Sequence, residues 1–243
     1  MRFTTPLIPA TLLRRYKRFL ADIRLDDGTE VTAHCANPGA MVGVRDEGAR
    51  IWVEPNDDPK RKLRYSWKLI ELPGGHMAGI DTSVPNRVVK EALQAHRVVE
   101  LLPYDTVTPE QKYGRNSRID FLLRTEGAPD TYVEVKNVHM RRTDDWAEFP
   151  DSITARGAKH LGELSAMVAA GHRAVMLYLV QRTDCARLRI APDMDAAYAR
   201  AFDAAVAAGV EMLCYDTDIT RDGIHLRRAL PVATDLPTLE KTR

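Results

Sequence analysis

The sequence predicts two domains in tandem: a small all-β barrel or sandwich over residues 1–80, then an α/β domain over residues 81–243. Three observations carry this prediction. Short alternating apolar segments recur through the first eighty residues with turn residues between them. Helical and strand periods then take turns along the chain. Pro73-Gly74-Gly75 stands where the first pattern gives way to the second.

In the first domain, Phe19–Leu25 alternates, Asp27-Gly28 is a hairpin signal, and Glu30–His34 reads as the returning strand. Asn37-Pro38-Gly39 is a turn, Arg50–Glu54 a short strand, Pro55–Pro59 a polar loop, and Arg64–Leu72 a longer alternating strand. In the second domain, Asn86 to about Val99 has helical spacing, with Val88, Ala92 and Leu93 as its apolar stripe. Ser117–Arg124 and Thr131–Val138 read as strands joined by the loop 125–130. A helix from about Thr154 to Ala170 stops at Gly171, and Arg173–Gln181 follows as a central buried strand. Asp195–Ala208 is an alanine-rich helix stopped by Gly209, and Glu211–Asp218 a final strand.

The chain has 243 residues, with 35 Lys+Arg against 34 Asp+Glu, 44% hydrophobic and 28% charged residues. This is globular composition and excludes wholesale disorder. The longest apolar run, Ala174–Val180, is too short to span a bilayer, so no membrane partner is expected. Pro6, Pro9 and the basic cluster at 14–18 make a poor secretory signal. Cys35, Cys185 and Cys214 are odd in number and form no CxxC pair, which points to a reducing cytoplasm rather than a disulfide or zinc framework. A net charge of +1 leaves nucleic acid open as a partner, because binding needs a local basic surface and not a basic total. There is no P-loop or dinucleotide-binding glycine pattern, which weighs against an enzyme of small phosphorylated metabolites.

The chemistry concentrates in Arg118-Ile-Asp120-Phe and Tyr132-Val-Glu134-Val-Lys136. Side chains alternate along a strand, so Glu134 and Lys136 share one face. Asp120 joins that face if it lies opposite either of them on the neighbouring strand. Two converging carboxylates, with the Val135 backbone carbonyl as a further oxygen, suit a hard cation such as Mg2+ or Mn2+. A lysine beside them can orient water or steady negative charge on a phosphate. A plain ion pair on a strand face, Glu134 with Lys136 or Arg118, reads equally well from these residues alone.

Asp120 followed by Glu134-Val135-Lys136 resembles the PD-(D/E)xK signature of restriction-endonuclease-like nucleases. The whole chain resembles the sugar fermentation stimulation protein A family. The resemblance is carried by Leu12–Leu20, His34-Cys35 with Asn37, Gly39 and Met41, Pro59–Lys62 with Tyr65 and Trp67, and Pro85-Asn-Arg87. It continues through Ser117–Phe121, Tyr132–Asn137, and Arg156-Gly157 with Lys159-His-Leu161. It implies an OB-like N-terminal barrel, a restriction-endonuclease-like α/β domain, DNA (or RNA) as partner, and a metal-dependent nuclease activity. By position it implies Asp120 and Glu134 as metal-site residues, Lys136 as the catalytic lysine, and Glu91 on the first helix as a further acidic ligand. A DNA-binding regulator or nucleoid-associated protein with an inactive nuclease-like domain is the alternative. One departure stands out: His34–Ala40 carries Ala36 and Pro38 where a Pro-Asn-Thr-Gly core is expected.

Two basic clusters flank aromatic residues in the first domain. Arg14, Arg15, Lys17 and Arg18 lie near Tyr16 and Phe19, and Lys60, Arg61, Lys62 and Arg64 near Tyr65 and Trp67. Cations track phosphates on OB-type barrels, so these eight are expected to contact nucleic acid. The aromatics, Trp67 above all, are expected in the core. Arg118, and on the second helix Arg156 and Lys159, complete the expected interface, while His160 and Glu163 read as the same solvent-side face.

Overall fold

Alternation in the first domain resolves into a closed barrel. The computed structural model describes residues 1–114 and 117–234, so the end of the segment assigned to the second domain lies outside the described residues. Strand β1 (Ile8–Tyr16) pairs antiparallel with β2 (Leu20–Leu25) and with β4 (Arg50–Pro55). β2 pairs with β3 (Glu30–Cys35), and β4 with β5 (Tyr65–Leu72). A short parallel contact, His34↔Ser66 and Cys35↔Trp67, closes the cylinder in the order β1-β2-β3-β5-β4. That is the five-stranded OB topology. Leu12, Ile23, Ile51, Val53, Trp67 and Ile70 fill it. Trp67 is buried as expected, its indole N–H donating to the Leu69 carbonyl at 2.9 Å.

β1 escapes the sequence reading for a physical reason. Its register shifts between Leu12 and Arg14, so the alternation that marks a strand breaks inside it. A sixth strand, β6 (His76–Gly79), extends β5 and leads into the second domain.

There, helix α1 (Val84–Gln94) covers one face of a six-stranded sheet. Its strands are β7 (Thr106–Tyr113), β8 (Ser117–Arg124), β9 (Thr131–Val138), β11 (Arg173–Val180), β13 (Glu211–Ile219) and β14 (Ile224–Ala229), in the order β14-β13-β11-β9-β8-β7. The central β9, β11 and β13 run parallel. Helices α2 (Ala155–Ala169) and α3 (Ala196–Ala207) cover the other face, preceded respectively by the ribbon strands β10 (Trp146–Phe149) and β12 (Arg187–Ile190). Val88, Val89 and Leu93 of α1 pack on Val133, Val135 and Leu177. Leu161, Leu164, Tyr198 and Phe202 pack on Met176 and Tyr178. Edge strand β7 is largely polar, so its sequence carries no buried-strand signal. α1 ends sooner than its periodicity suggests, because His96 takes φ 53° and turns the chain away.

The two domains share a polar seam. Gly79 N–H donates to the Gln181 carbonyl at 2.9 Å, and a Cβ at Gly79 would meet Gln181 Oε1 at 2.7 Å, so a side chain here would have to displace the Gln181 amide. Asn37, in the departing loop, donates to the Ile80 carbonyl at 3.0 Å. Asp151 takes the Met41 N–H, and the Arg15 guanidinium donates to the Asn37 and Gly39 carbonyls. The departure from the expected core motif therefore leaves a working structural loop. At the amino end, Phe3 N–H donates to Asp222 at 3.0 Å and Arg2 pairs with Gly223, so these residues sit on the second domain.

His139 is buried in this seam, with the Asn37 and Asn137 amides at 3.4 and 3.1 Å from its Nδ1. Burial pushes its pKa down to about 4 from the ordinary 6.5. Below pH 6.5 the unfolded chain therefore binds a proton that the folded chain refuses, and stability falls as pH falls. Between about pH 7 and pH 5 the linkage costs about 2 kcal/mol. Urea unfolding across that range is expected to show this slope in the wild type and a flatter one in His139→Gln. An equal slope in both would contradict the assignment.

Candidate active site

Strands β8 and β9 run side by side only as far as Phe121↔Val133. The same register carried one rung further would set Asp120 against Glu134. Instead the strands part, and the Asp120 carboxylate takes the place of a ladder carbonyl: its Oδ2 accepts the Val135 N–H at 2.7 Å. Glu110, which falls opposite Asp120 on the β7 side, has φ 55°. Ile119 and Leu122 consequently both pack on the α2 side, and strict alternation fails across Asp120. The other carboxylate oxygen of Asp120 accepts from Asn86 of α1 at 2.7 Å. A strand residue's carbonyl faces the same way as its N–H, so the Val135 carbonyl looks into the same gap.

Glu134 points to the α2 face and is 3% exposed. Its Oε1 is held by Lys136 Nζ at 2.6 Å and by His160 Nδ1. Its Oε2 is buried without a hydrogen bond among the described residues. An ionised oxygen left bare in the interior is costly unless something else binds there.

The electrostatics of the two carboxylates diverge. Burial raises the Asp120 pKa and the nearby Glu134 charge raises it further, against the Val135 and Asn86 hydrogen bonds. Burial also pushes Glu134 up, but the His160 hydrogen bond and the Lys136 charge outweigh it and hold Glu134 below its ordinary value. Buried Tyr113, whose hydroxyl has no partner among the described residues, is pushed up by burial and by Glu134, Glu163 and Asp120. It stays a neutral phenol.

The sequence reading thus brings Asp120, Glu134, Val135 and Lys136 to one place, and misses four neighbours. Asn86 and Tyr113 carry no spacing signal, and Glu163, read as solvent-facing, is corrected: it is largely buried and accepts from Ser117 Oγ at 2.8 Å. His160 does carry a spacing signal: Gly157, His160, Leu161 and Leu164 fall at i, i+3, i+4 and i+7 and are the buried stripe of α2, so the expectation that His160 faces solvent is corrected. Glu91 is corrected too. It lies on an exposed part of α1, five residues beyond Asn86, and its Oε2 pairs with the Met1 amino group at 2.7 Å.

The basic residues divide. Arg156 is exposed above the site, with its Nε 3.4 Å from His160 Nε2. Lys159 donates to Ser117 Oγ at 3.0 Å and neighbours Glu163, which ties the β7–β8 turn to α2. Arg118 is exposed on β8. Arg15 is corrected from a phosphate contact to a structural clamp, as its three carbonyl partners show. Arg14 pairs with Asp22 at 2.8 Å, and Arg64 lies 3.7 Å from Asp57. Lys17 and Arg18 on the β1–β2 turn, and Lys60, Arg61 and Lys62 on the β4–β5 loop, are exposed. Phe19 is also corrected: it is 47% exposed and outside the core.

Fold and site together define a two-domain protein, an OB barrel joined to an α/β domain with a carboxylate–lysine cluster where two strands part. The model of the SfsA N-terminal OB domain matches residues 13–80, and that of the sugar fermentation stimulation protein RE domain matches residues 83–223. The chain belongs to the sugar fermentation stimulation protein family. It is 70% identical to the sugar fermentation stimulation protein homolog of Dinoroseobacter shibae and 66% identical to that of Jannaschia sp., over 96% of this chain and 96% and 97% of those proteins. Its fold matches the solved structure of Pyrococcus furiosus SfsA in complex with Ca2+, with TM-score 0.84 and 25% identity over 96% of this chain and 97% of that one. Among the described residues no helix is long and apolar enough to cross a membrane, and all three cysteines are free and buried.

Burial and the Glu134 charge raise the Asp120 pKa in the folded state, so the ionised carboxylate is held there at a cost in stability. Asp120→Asn keeps an oxygen for the Val135 N–H and removes the repulsion with Glu134, while its new NH2 requires the Asn86 amide to turn its oxygen inward. It is expected to raise the Tm. Calorimetry at neutral pH checks this, and a lowered Tm would contradict the electrostatic account.

Proposed function

We propose that the protein is a nucleic-acid-binding, divalent-metal-dependent nuclease whose phosphodiester chemistry occurs at Asp120, Glu134 and Lys136. The observation that carries this reading is the bare, buried Oε2 of Glu134 beside the raised carboxylate of Asp120. Glu163 also has a bare buried Oε2, but Glu134 is the one that neighbours a second, raised carboxylate and a lysine. The donors are all oxygen: Asp120, Glu134 and the Val135 carbonyl. That set fits Mg2+ or Mn2+, which accept few protein ligands and keep several waters. Pyrococcus furiosus SfsA, solved in complex with Ca2+, supports a hard cation on this scaffold.

When bound, such a cation lowers the pKa of water and polarises a phosphoryl oxygen. The chain's own residues do the rest. Asn86 and the Val135 N–H fix the Asp120 carboxylate from two sides. His160 and Lys136 share Glu134 Oε1, which leaves Oε2 free to ligate. Lys136, largely buried at this junction, supplies the positive charge that steadies the pentacoordinate phosphate and orients the attacking water. Exposed Arg156 and Arg118 stand on neighbouring elements to hold flanking phosphates.

The test is cleavage of labelled single-stranded DNA, duplex DNA and RNA with Mg2+, Mn2+ or EDTA. Wild type is expected to cut one of these polymers only with metal. Glu134→Ala is expected to lose at least about 100-fold in rate while keeping its affinity, as for the removal of a group that stabilises transition-state charge. A variant that cuts like wild type would refute the site. Wild type that binds but cuts nothing would leave a nucleic-acid-binding protein without catalysis.

A further inference from the structure

A groove of about 560 Å³ runs along the outside of the barrel to the start of α1. One wall is the β1–β2 turn with Phe19, and the floor is the β3–β5 seam with His34 and Ser66. Arg61 of the β4–β5 loop and Arg87 of α1 also line it. Lys68 sits at the bottom between Glu54 at 3.4 Å and Asp81 at 3.0 Å, and so offsets one of the groove's two acidic charges. With Arg61 and Arg87 the lining is left with a small positive excess, and Lys17, Arg18, Lys60 and Lys62 are exposed on the adjoining loops.

Phe19 is the anomaly. It is a large aromatic ring, nearly half exposed, held between a cationic turn and a groove. Trp67, by contrast, is sealed in the barrel. A phenyl face bordered by cations suits a nucleobase with its phosphates, and stacking is tolerant of sequence because every base offers a π-face. A duplex offers phosphates, but its base faces are already stacked on one another; only an unpaired strand can present one. The groove also leads somewhere. Arg87 follows Asn86, the residue that holds Asp120, so the groove and the carboxylate site both draw on the first turn of α1.

We infer that this groove is a single-strand nucleic-acid site in which Phe19 stacks a base, Arg61 and Arg87 take phosphates, and the strand is led across the domain boundary towards Asp120. The direction of travel rests on the nuclease reading above; the binding site does not. The selectivity that follows is for unpaired strand over duplex.

The experiment is fluorescence anisotropy in EDTA at low salt with the full chain. The probes are labelled oligothymidylate, oligouridylate and a duplex, each of about fifteen nucleotides, a length within the reach of one OB barrel and its neighbour. Wild type is expected to bind a single strand at least about tenfold more tightly than the duplex. Phe19→Ala is expected to weaken single-strand binding by about five- to a hundred-fold, the range for losing one stacked base, and Phe19→Tyr to restore it. Phe19→Trp adds a direct readout, since its emission is expected to be quenched by the single strand and not by the duplex. Tighter binding of oligothymidylate assigns the site to DNA and of oligouridylate to RNA; both support the groove. Phe19→Ala binding as tightly as wild type, or duplex binding as tightly as single strand, would overturn it. Because metal is absent, a failure of the nuclease reading leaves this result untouched, and loss of the groove's selectivity leaves the nuclease reading standing.

Discussion

The second domain is organised around one missing rung. Where β8 and β9 should exchange another pair of backbone hydrogen bonds, the Asp120 carboxylate takes the Val135 N–H instead. That substitution opens a gap between two strands without leaving the amide unsatisfied, which a buried sheet could not otherwise tolerate. It turns Asp120 out of the alternation and brings it towards Glu134. A buried acidic pair is expensive, and the surroundings show the compensation: Lys136 and His160 on one oxygen of Glu134, Asn86 on one oxygen of Asp120. The compensation is incomplete at Glu134 Oε2 and in the raised pKa of Asp120. Strain left in place at a site is a common mark of function.

The barrel and the sheet are joined by groups that tolerate little change. A side chain at Gly79 would displace the Gln181 amide, and Asn37, Arg15 and Asp151 lace the loop at 36–41 to both domains. The polar seam holds the two cationic loops of the barrel and the start of α1 around one groove. On the proposed reading, a strand bound on the barrel is held in a fixed relation to the sheet, which is the positional requirement of an enzyme acting on a polymer.

Much of this is legible in the sequence because it depends on local period. The hairpin at Asp27-Gly28, the buried run Arg173–Val180, and α2 with its Thr154 cap and Gly171 stop all follow from residue type and spacing. Asp120, Glu134 and Lys136 are legible because strand alternation fixes the relation between the last two and leaves few places for the first. What is not legible depends on packing between distant segments. His160 reaches Glu134 only because α2 crosses β9, and Asn86 reaches Asp120 only because α1 covers the opposite face. Glu91 illustrates the converse error: the helix is the right one, but helical phase puts Asn86 and not Glu91 beside Asp120. In the barrel, the bulge in β1 turns Arg15 onto the loop carbonyls, and Phe19, on the turn that follows, is carried outside the core.

The most direct measurement is an anomalous difference map from crystals soaked in Mn2+. The account predicts a single strong peak in the gap between the Asp120 carboxylate, Glu134 Oε2 and the Val135 carbonyl, absent from crystals of Glu134→Gln. No peak at full soak, or a peak held by other residues while this gap stays filled by protein contacts, would contradict the claim that the parted strands form a metal site.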